Sequence, residues 1–428
     1  MKQRVVITGM GVAAPNGVGL EAFGAAIRAG RSGIRYYERL AEMKFSCCIA
    51  GEPEVTEEMK LRYLTPLQLR NFRSTGILYG CMAGVDAWED AGLERRPKDA
   101  EPDWDTGIVF GMGNSGVDQM REAAYKLDGG KVKRLGSTTV PQIMASGVSA
   151  YLGGILGTGN QVTTNSSACT TGTEAIILGY ERIVLGHAKR MLVGSASDSG
   201  PYIWGGFDAM KVMNFKMNDQ PEAASRPLSA TAMGFVPGSG AGALMLERLD
   251  SALERGATIY AEVLGGAVNS GGQRMGGTMT APNATAVQRC ITAALQNAQV
   301  RPEEVDLING HLTATMKDPD EIQNWTVALG RKGSNFPMIH SLKAMIGHCI
   351  SAAGSIETVA AVLGLYDNFV FPSINCEDVH PAVNELIDSD KIVREMQEDS
   401  SVNIVAKAGF GFGDVNACLL LKRWNENR

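Results

Sequence analysis

Apolar, small and polar positions along the chain follow two patterns. Short apolar runs bounded by glycine or charge predict strands at 4–9, 106–110, 190–195, 260–264, 305–309, 338–341, 402–406 and 417–421. Segments whose larger apolar side chains recur at three- and four-residue steps predict helices at 20–29, 60–92, 250–255, 284–297 and 352–366. Another helix starts just after Cys169, with Ala175, Ile176, Leu178, Ile183 and Val184 as its apolar positions. Glycine-rich stretches at 9–14, 111–116 and 409–413 predict turns or loops, and 234–246 predicts a turn entering a strand. Strands alternating with helices over the whole length predict an α/β protein with largely parallel sheets. One pattern occurs twice: Cys169 and His348 each open a helix rich in small residues after a strand and a loop. Two similar lobes would bring these helix starts to a common centre.

Composition narrows the picture. With 428 residues, 44% hydrophobic and 20% charged, the chain is globular and holds two or three domains' worth of core, or one two-lobed unit. A net charge of −6 argues against a general nucleic-acid binder, and the cluster Lys131, Lys133 and Arg134 suits a solvated face better than a docking site. Residues 9–14 match the dinucleotide fingerprint only loosely, since no acid sits at the ribose-binding spacing and Pro15 breaks the helix start. The eight cysteines include no C-x-x-C pair, and a disulfide between the adjacent Cys47 and Cys48 would be strained. Reduced thiols in a cytoplasmic protein, without structural zinc, are therefore expected. The first nine residues have a strand pattern rather than a signal-peptide pattern, and no apolar run approaches the roughly 18 residues that span a bilayer.

Candidate chemistry begins at Asn165-Ser-Ser-Ala-Cys-Thr-Thr-Gly172, where small and hydroxyl residues lead into a helix. Cys169 at a helix N-terminus meets free N–H groups and a positive dipole end, which favour thiolate. On this stretch alone, a buried inert cysteine is an equal alternative. Two of the five histidines have unusual settings. His311, in Asn309-Gly-His-Leu-Thr-Ala-Thr315, follows a strand's carboxyl end, where α/β sites gather. His348 closes Lys343-Ala-Met-Ile-Gly-His348 ahead of the second small-residue helix. A thiolate can hold an acyl group, and two imidazoles can donate hydrogen bonds to the oxygen of a second thioester and stabilise its enolate. Lys343 and Glu321 are expected to form a buried pair that fixes the histidines' charge state. The Gly/Phe stretch 409–413 is expected to bring a backbone N–H to Cys169. No residue cluster has the pattern of a catalytic metal site.

With these residues in place, the whole chain resembles a β-ketoacyl-acyl-carrier-protein synthase of the elongating Cys-His-His type, in the thiolase superfamily. The resemblance rests on motifs in order: Val5-Val-Ile-Thr-Gly-Met-Gly11, Ser167-Ala-Cys-Thr-Thr-Gly172, Arg226-Pro-Leu-Ser229 with Gly234-Phe-Val236, Gly240-Ala-Gly242, Thr278-Met-Thr-Ala-Pro282, His311 with Thr313 and Thr315, Lys343 to His348, and Phe410-Gly-Phe-Gly413. It implies a thiolase fold of two similar βαβαβ-type lobes in αβαβα layers: 1–250 with the nucleophile, and 251–428 with both histidines and the gate loop. It implies that Cys169 accepts an acyl chain from a phosphopantetheine thioester, with no bound cofactor. His311 and His348 then promote malonyl decarboxylation, and the enolate attacks the acyl-cysteine. The backbone N–H groups of Cys169 and Phe412 would hold the oxyanion, and Phe412 would gate the nucleophile. Thr280, Thr313 and Thr315 would contact the pantetheine arm, while Lys343, Glu321 and Glu357 support the histidines.

Departures from the family pattern surround the site. Leu312 replaces the usual glycine after the first histidine, and the loop from Thr315 to Asp318 is one residue shorter. Gly413-Asp-Val-Asn416 replaces Gly-Gly-Thr-Asn, Ala408-Gly409 replaces Asn-Ser, and Ser239 replaces a glutamate. Asn114 falls where an apolar residue often gates the acyl pocket; it either makes a polar pocket wall or is a structural residue bonded to its own loop. These departures, set against the resemblance, imply a specialised synthase for a polyene, aryl-primed or other polyketide chain. A chain-length-shaping partner subunit would lack the cysteine. A thiolase would need a second catalytic cysteine in a glycine-rich turn, and Cys418 sits in a strand pattern. The implied partner is an acidic acyl carrier protein. Arg62, Arg70 and Arg73 are either its docking residues or ordinary exposed helix residues. A homodimer, or a heterodimer with a sister subunit, is implied by resemblance alone.

Overall fold

In the computed structural model, which describes residues 3–425, the first apolar run becomes a ten-residue strand, β1 (Val5–Ala14), buried throughout. Met1 and Lys2, part of the predicted N-terminal strand pattern, lie outside the described residues. The turn expected at 9–14 is therefore strand. Its glycines serve close packing: a Cβ on Gly9 or Gly11 would lie 2.3 or 2.0 Å from the carbonyl oxygens of Ala87 and Ala83 on helix α1 (Thr75–Asp90). The helix expected over 60–92 is likewise broken. Thr65 forms a capping box with Gln68 ahead of Pro66, and Ser74 caps α1 by accepting the Ile77 N–H.

The remaining principal strands are β2 (Thr106–Met112), β3 (Val162–Thr163), β4 (Arg190–Ser197), β5 (Gly240–Arg248), β6 (Ala261–Ser270), β7 (Leu307–Asn309), β8 (Met338–His340), β9 (Ile404–Gly411) and β10 (Val415–Arg423). They form one sheet in the order β8-β7-β9-β10-β6-β1-β5-β4-β2-β3, with Gly17–Val18 folded back on β1. The order is the same in each half: third, second, fourth, fifth, first. In each half the second strand is parallel to the third and fourth, and every other principal pairing is antiparallel, including β1 with β6. The expectation of largely parallel sheets is thus corrected to a mixed sheet. Alternation of elements does not reveal that the fifth strand of each half turns back along the fourth. For β9 and β10 the tight turn between them permits no parallel pairing.

Helices α2 (Val117–Asp128), α3 (Thr171–Val184), α4 (Ala284–Ala298), α5 (Asp318–Leu329) and α6 (Ala353–Tyr366) complete the site's frame. Helix α1 packs on β1, β4 and β5, and α4 on β6 and β10, whereas α3 and α6 touch strands of both halves. The result is the layered αβαβα arrangement. Helix α6 is buried from Ala353 to Leu365, which explains why its sequence is small or apolar almost all round. It crosses α3 at two glycines: a Cβ on Gly172 would lie 2.4 Å from Ser355 N, and one on Gly354 2.5 Å from Thr173 N. This close crossing brings the two duplicated helix starts together. All eight cysteines are unpaired, and no helix among the described residues is long and apolar enough to cross a membrane.

Candidate active site

Cys169 sits in a single 3-10 turn, Ala168–Thr170, that leads directly into α3. The turn is sharp, with Ala168 at φ 49° in the left-handed region. Strand β9 lies against it because Gly409 and Gly411 carry no side chain; a Cβ on Gly411 would be 3.1 Å from Cys169 N. The predicted Gly/Phe loop is therefore strand up to Gly411, and only 412–414 form the turn into β10. The backbone N–H groups of Phe412 and of Cys169 itself lower the thiol and so favour thiolate.

The helix start does not by itself yield a standing thiolate. Burial pushes the Cys169 thiol up to about 11, against the opposing pull of Lys343 and the two N–H groups. The second helix start supplies a partner, since His348 Nε2 lies 3.1 Å from Cys169 Sγ. The Ile350 N–H donates to His348 Nδ1 at 3.2 Å. That bond makes Nδ1 the acceptor, so in the neutral ring Nε2 carries the hydrogen and faces the sulfur. His311 stands edge-on to His348, with ring centroids 5.5 Å apart, and its other flank meets Phe410. Both imidazoles are held well below the usual histidine range by burial first, then by Lys343, with Lys407 adding to it.

The buried pair expected between Lys343 and Glu321 is not formed. Lys343 instead pairs with Glu357, whose other oxygen takes Lys407 at 2.7 Å; all three side chains are almost wholly inaccessible. Two ammonium groups facing one carboxylate leave a positive residue of charge behind the histidines, which keeps them neutral. Glu321 has another task. It accepts the backbone N–H groups of His311 at 2.8 Å and Leu312 at 2.7 Å, and burial raises its carboxyl to about 7. Asp318, one turn earlier on α5, accepts those of Thr313 at 2.9 Å and Ala314 at 3.1 Å. Together they staple a loop in which Leu312 and Ala314 have φ of 23° and 60°. Thus Leu312, expected to replace a glycine, sits at positive φ, and the acidic first turn of α5 holds it there.

A cavity of about 350 Å³ runs from Cys169 and both histidines past Phe412 to Thr280, Thr313 and Thr315. Thr313 and Thr315 hydroxyls lie 3.1 Å apart, and the Phe412 ring tilts against Phe207 at 6.0 Å. Asn114 is not brought to this cavity: it is exposed on the loop between β2 and α2. Arg62 is tied to Glu89 at 2.8 Å, while Arg70 and Arg73 are exposed. Ligand atoms of Cys169, His311 and His348 all lie within 4.8 Å of one another. A thiolate and two imidazoles are also a donor set able to hold a thiophilic ion such as zinc, a capacity the sequence pattern did not suggest. Sequence reasoning also missed Lys407 and Asp318. Lys407 had a signal, a lysine inside the apolar run Ile404-Val-Ala-Lys-Ala; Asp318 had one too, as an acid three residues before Glu321 at a helix start.

The same frame is found in known proteins. Residues 2–252 match the family described as Beta-ketoacyl synthase, N-terminal domain, and 260–377 match Beta-ketoacyl synthase, C-terminal domain. The 3-oxoacyl-[acyl-carrier-protein] synthase 2 of Vibrio harveyi is 32% identical, covering 99% of both chains. The ishigamide ketosynthase/chain length factor superposes with a TM-score of 0.87 at 28% identity, covering 99% of this chain and 100% of that one. A type II PKS acyl-carrier protein in complex with its ketosynthase bound to the hexaketide gives 0.84 at 26%, covering 99% of this chain and 100% of the matched chain. Two family domains in the right order, a full-length relative, and a cysteine flanked by two neutral histidines agree: the chain belongs to the β-ketoacyl synthase family.

Proposed function

We propose that the chain catalyses a decarboxylative Claisen condensation. Cys169 accepts an acyl group from a thioester on an acyl carrier protein, releasing the carrier's thiol. A malonyl thioester then enters by the same cavity. Loss of CO₂ leaves an enolate whose oxygen receives hydrogen bonds from His311 and His348. The enolate carbon bonds to the acyl carbonyl carbon, the N–H groups of Cys169 and Phe412 hold the oxyanion, and the Cys169 thiolate leaves. The product is a β-ketoacyl thioester two carbons longer. One observation carries this reading: a thiol and two imidazoles within 4.8 Å, with the imidazoles held neutral. Neutral rings donate to an enolate without protonating its carbon.

Burial with Lys343 and Lys407 sets that neutrality, Glu357 holds the two lysines, Glu321 holds His311, and Thr280, Thr313 and Thr315 line the path of the pantetheine arm. We read the chain as two lobes, 1–250 carrying Cys169 and 251–428 carrying the histidines and Phe412, working in the cytoplasm as a dimer. The relatives span 3-oxoacyl-[acyl-carrier-protein] synthases and the ketosynthase of a type II PKS, and the departures at Leu312 and Asp414 favour a specialised chain. Intact-protein mass after incubation with a panel of acyl-carrier thioesters tests the reading. Wild type should gain one acyl mass that Cys169→Ala does not, and malonyl carrier should discharge it as a β-ketoacyl product. If no thioester labels Cys169, the chain is a non-condensing partner subunit.

A further inference from the structure

The turn from β9 to β10 carries a buried carboxylate that the chemistry above does not use. Asp414 is 1% exposed and has φ 62°. It follows Phe412 by two residues and stands where the family pattern has glycine. Its carboxylate does not point along its own hairpin. One oxygen accepts the N–H of Gln273 at 2.9 Å and the other the N–H of Asn283 at 2.8 Å. Its own carbonyl accepts the Gly271 N–H at 2.9 Å, and the N–H of neighbouring Gly413 donates to the Met279 carbonyl at 2.8 Å. Four hydrogen bonds therefore tie this turn to the segment 271–283, which connects β6 to α4.

That segment is built to receive the carboxylate. A Cβ on Gly271 or Gly277 would lie 2.2 or 2.4 Å from Asp414 Oδ2, so glycine at both positions makes the room. Asn283, bonded through its N–H, caps α4 by accepting the Ala286 N–H and donates its amide to the Arg274 carbonyl. Most of the segment is otherwise exposed, Met275 to 79%. A stretch so open to water draws its order from few contacts, and charge-assisted bonds to one buried carboxylate are the strongest of them. The segment carries Thr280, on the cavity wall, and the turn carries Phe412, over Cys169.

We infer that Asp414 is a positioning residue that latches the Phe412 turn to segment 271–283, so that the cover over Cys169 and the threonine wall of the cavity hold or move as one body. The inference rests on the condensing reading only for the identity of what passes beneath them. The latch itself is tested without turnover, in Asp414→Asn and Asp414→Gly. Asparagine keeps the shape but turns a donor toward one of the two N–H groups. Glycine restores the family residue and removes the carboxylate. Two readouts are taken on the free protein: hydrogen exchange of 271–283, and the rate of Cys169 alkylation by iodoacetamide. Loss of the latch should speed both by about tenfold or more, the effect of one charge-assisted hydrogen bond, with exchange in β9 above the turn unchanged. The KM for a carrier-borne thioester should rise with it. Unchanged alkylation in both variants, whether or not 271–283 loosens, overturns the inference, because turn and segment would then be independent. Failure of any thioester to label wild type would sink the condensing reading and leave this result standing.

Discussion

The unusual charge balance behind the site is the feature at residue scale with the clearest consequence. Lys343 and Lys407 share one carboxylate, Glu357. Lys343 lowers the thiol of Cys169 and depresses both histidines, so it favours thiolate and neutral imidazole together. Lys343→Met fills the same space, leaves a balanced Glu357–Lys407 pair, and removes the excess cation. The sign is fixed for each group. The thiol pKa should rise, and the histidine pKa values, held below 6.5 in the wild type, should rise towards it. Alkylation of Cys169 at neutral pH should slow by about tenfold for each unit the thiol moves. The alkylation–pH curve should shift to higher pH, and the histidine ring resonances should begin to titrate between pH 5 and 7 where wild-type ones do not. An unshifted curve would show that burial alone sets the site's protonation.

Between elements, the contact that matters is the crossing of α3 and α6. Gly354→Ala places a Cβ 2.5 Å from a backbone nitrogen of α3, which no side-chain rotation relieves. The helices must separate, at a cost of about 1–3 kcal/mol for overpacking, and the turns carrying Cys169 and His348 separate with them. Denaturant unfolding should show the loss, and acylation of Cys169 should slow by more than the unfolded fraction accounts for. Unchanged stability and rate would mean that the helices yield locally without moving the two turns. This crossing also shows what the sequence could and could not say. The repeated helix after Cys169 and His348 was legible, because small residues recur at a local spacing. The glycines at 9, 11, 409 and 411 looked like turns, because glycine permits both a turn and a close approach; only a packed neighbour distinguishes them. The grouping of Cys169, His311 and His348 was legible because cysteine and histidine are rare in such settings. The Glu357–Lys343–Lys407 cluster and the Glu321 staple were not, because both join residues whose pairing depends on how β9, α5 and α6 meet.

For the whole molecule, the sheet's two ends differ. At one end β8 is covered, since Ile339 bridges in parallel to Ile392. At the other, β3 has β2 on one side and nothing on the other among the described residues. In the same half, large apolar side chains are well exposed, Tyr125 at 60% and Val140 at 64% among them, on elements packed in series from the helix behind β3. An open edge strand and exposed apolar side chains each invite pairing with another chain. In the proposed dimer, a second copy pairs with this edge. Val140→Lys and Tyr125→Lys together put two charges on this surface without touching the cavity. Sedimentation velocity should find wild type as a dimer and the double variant as a monomer. If dimerisation completes the acyl pocket, the monomer should keep alkylation of Cys169 by iodoacetamide but lose acylation by long chains more than by short ones. A wild type that stays monomeric until mixed with a cysteine-less sister chain would assign the same edge to a heterodimer. A double variant still dimeric would move the interface elsewhere.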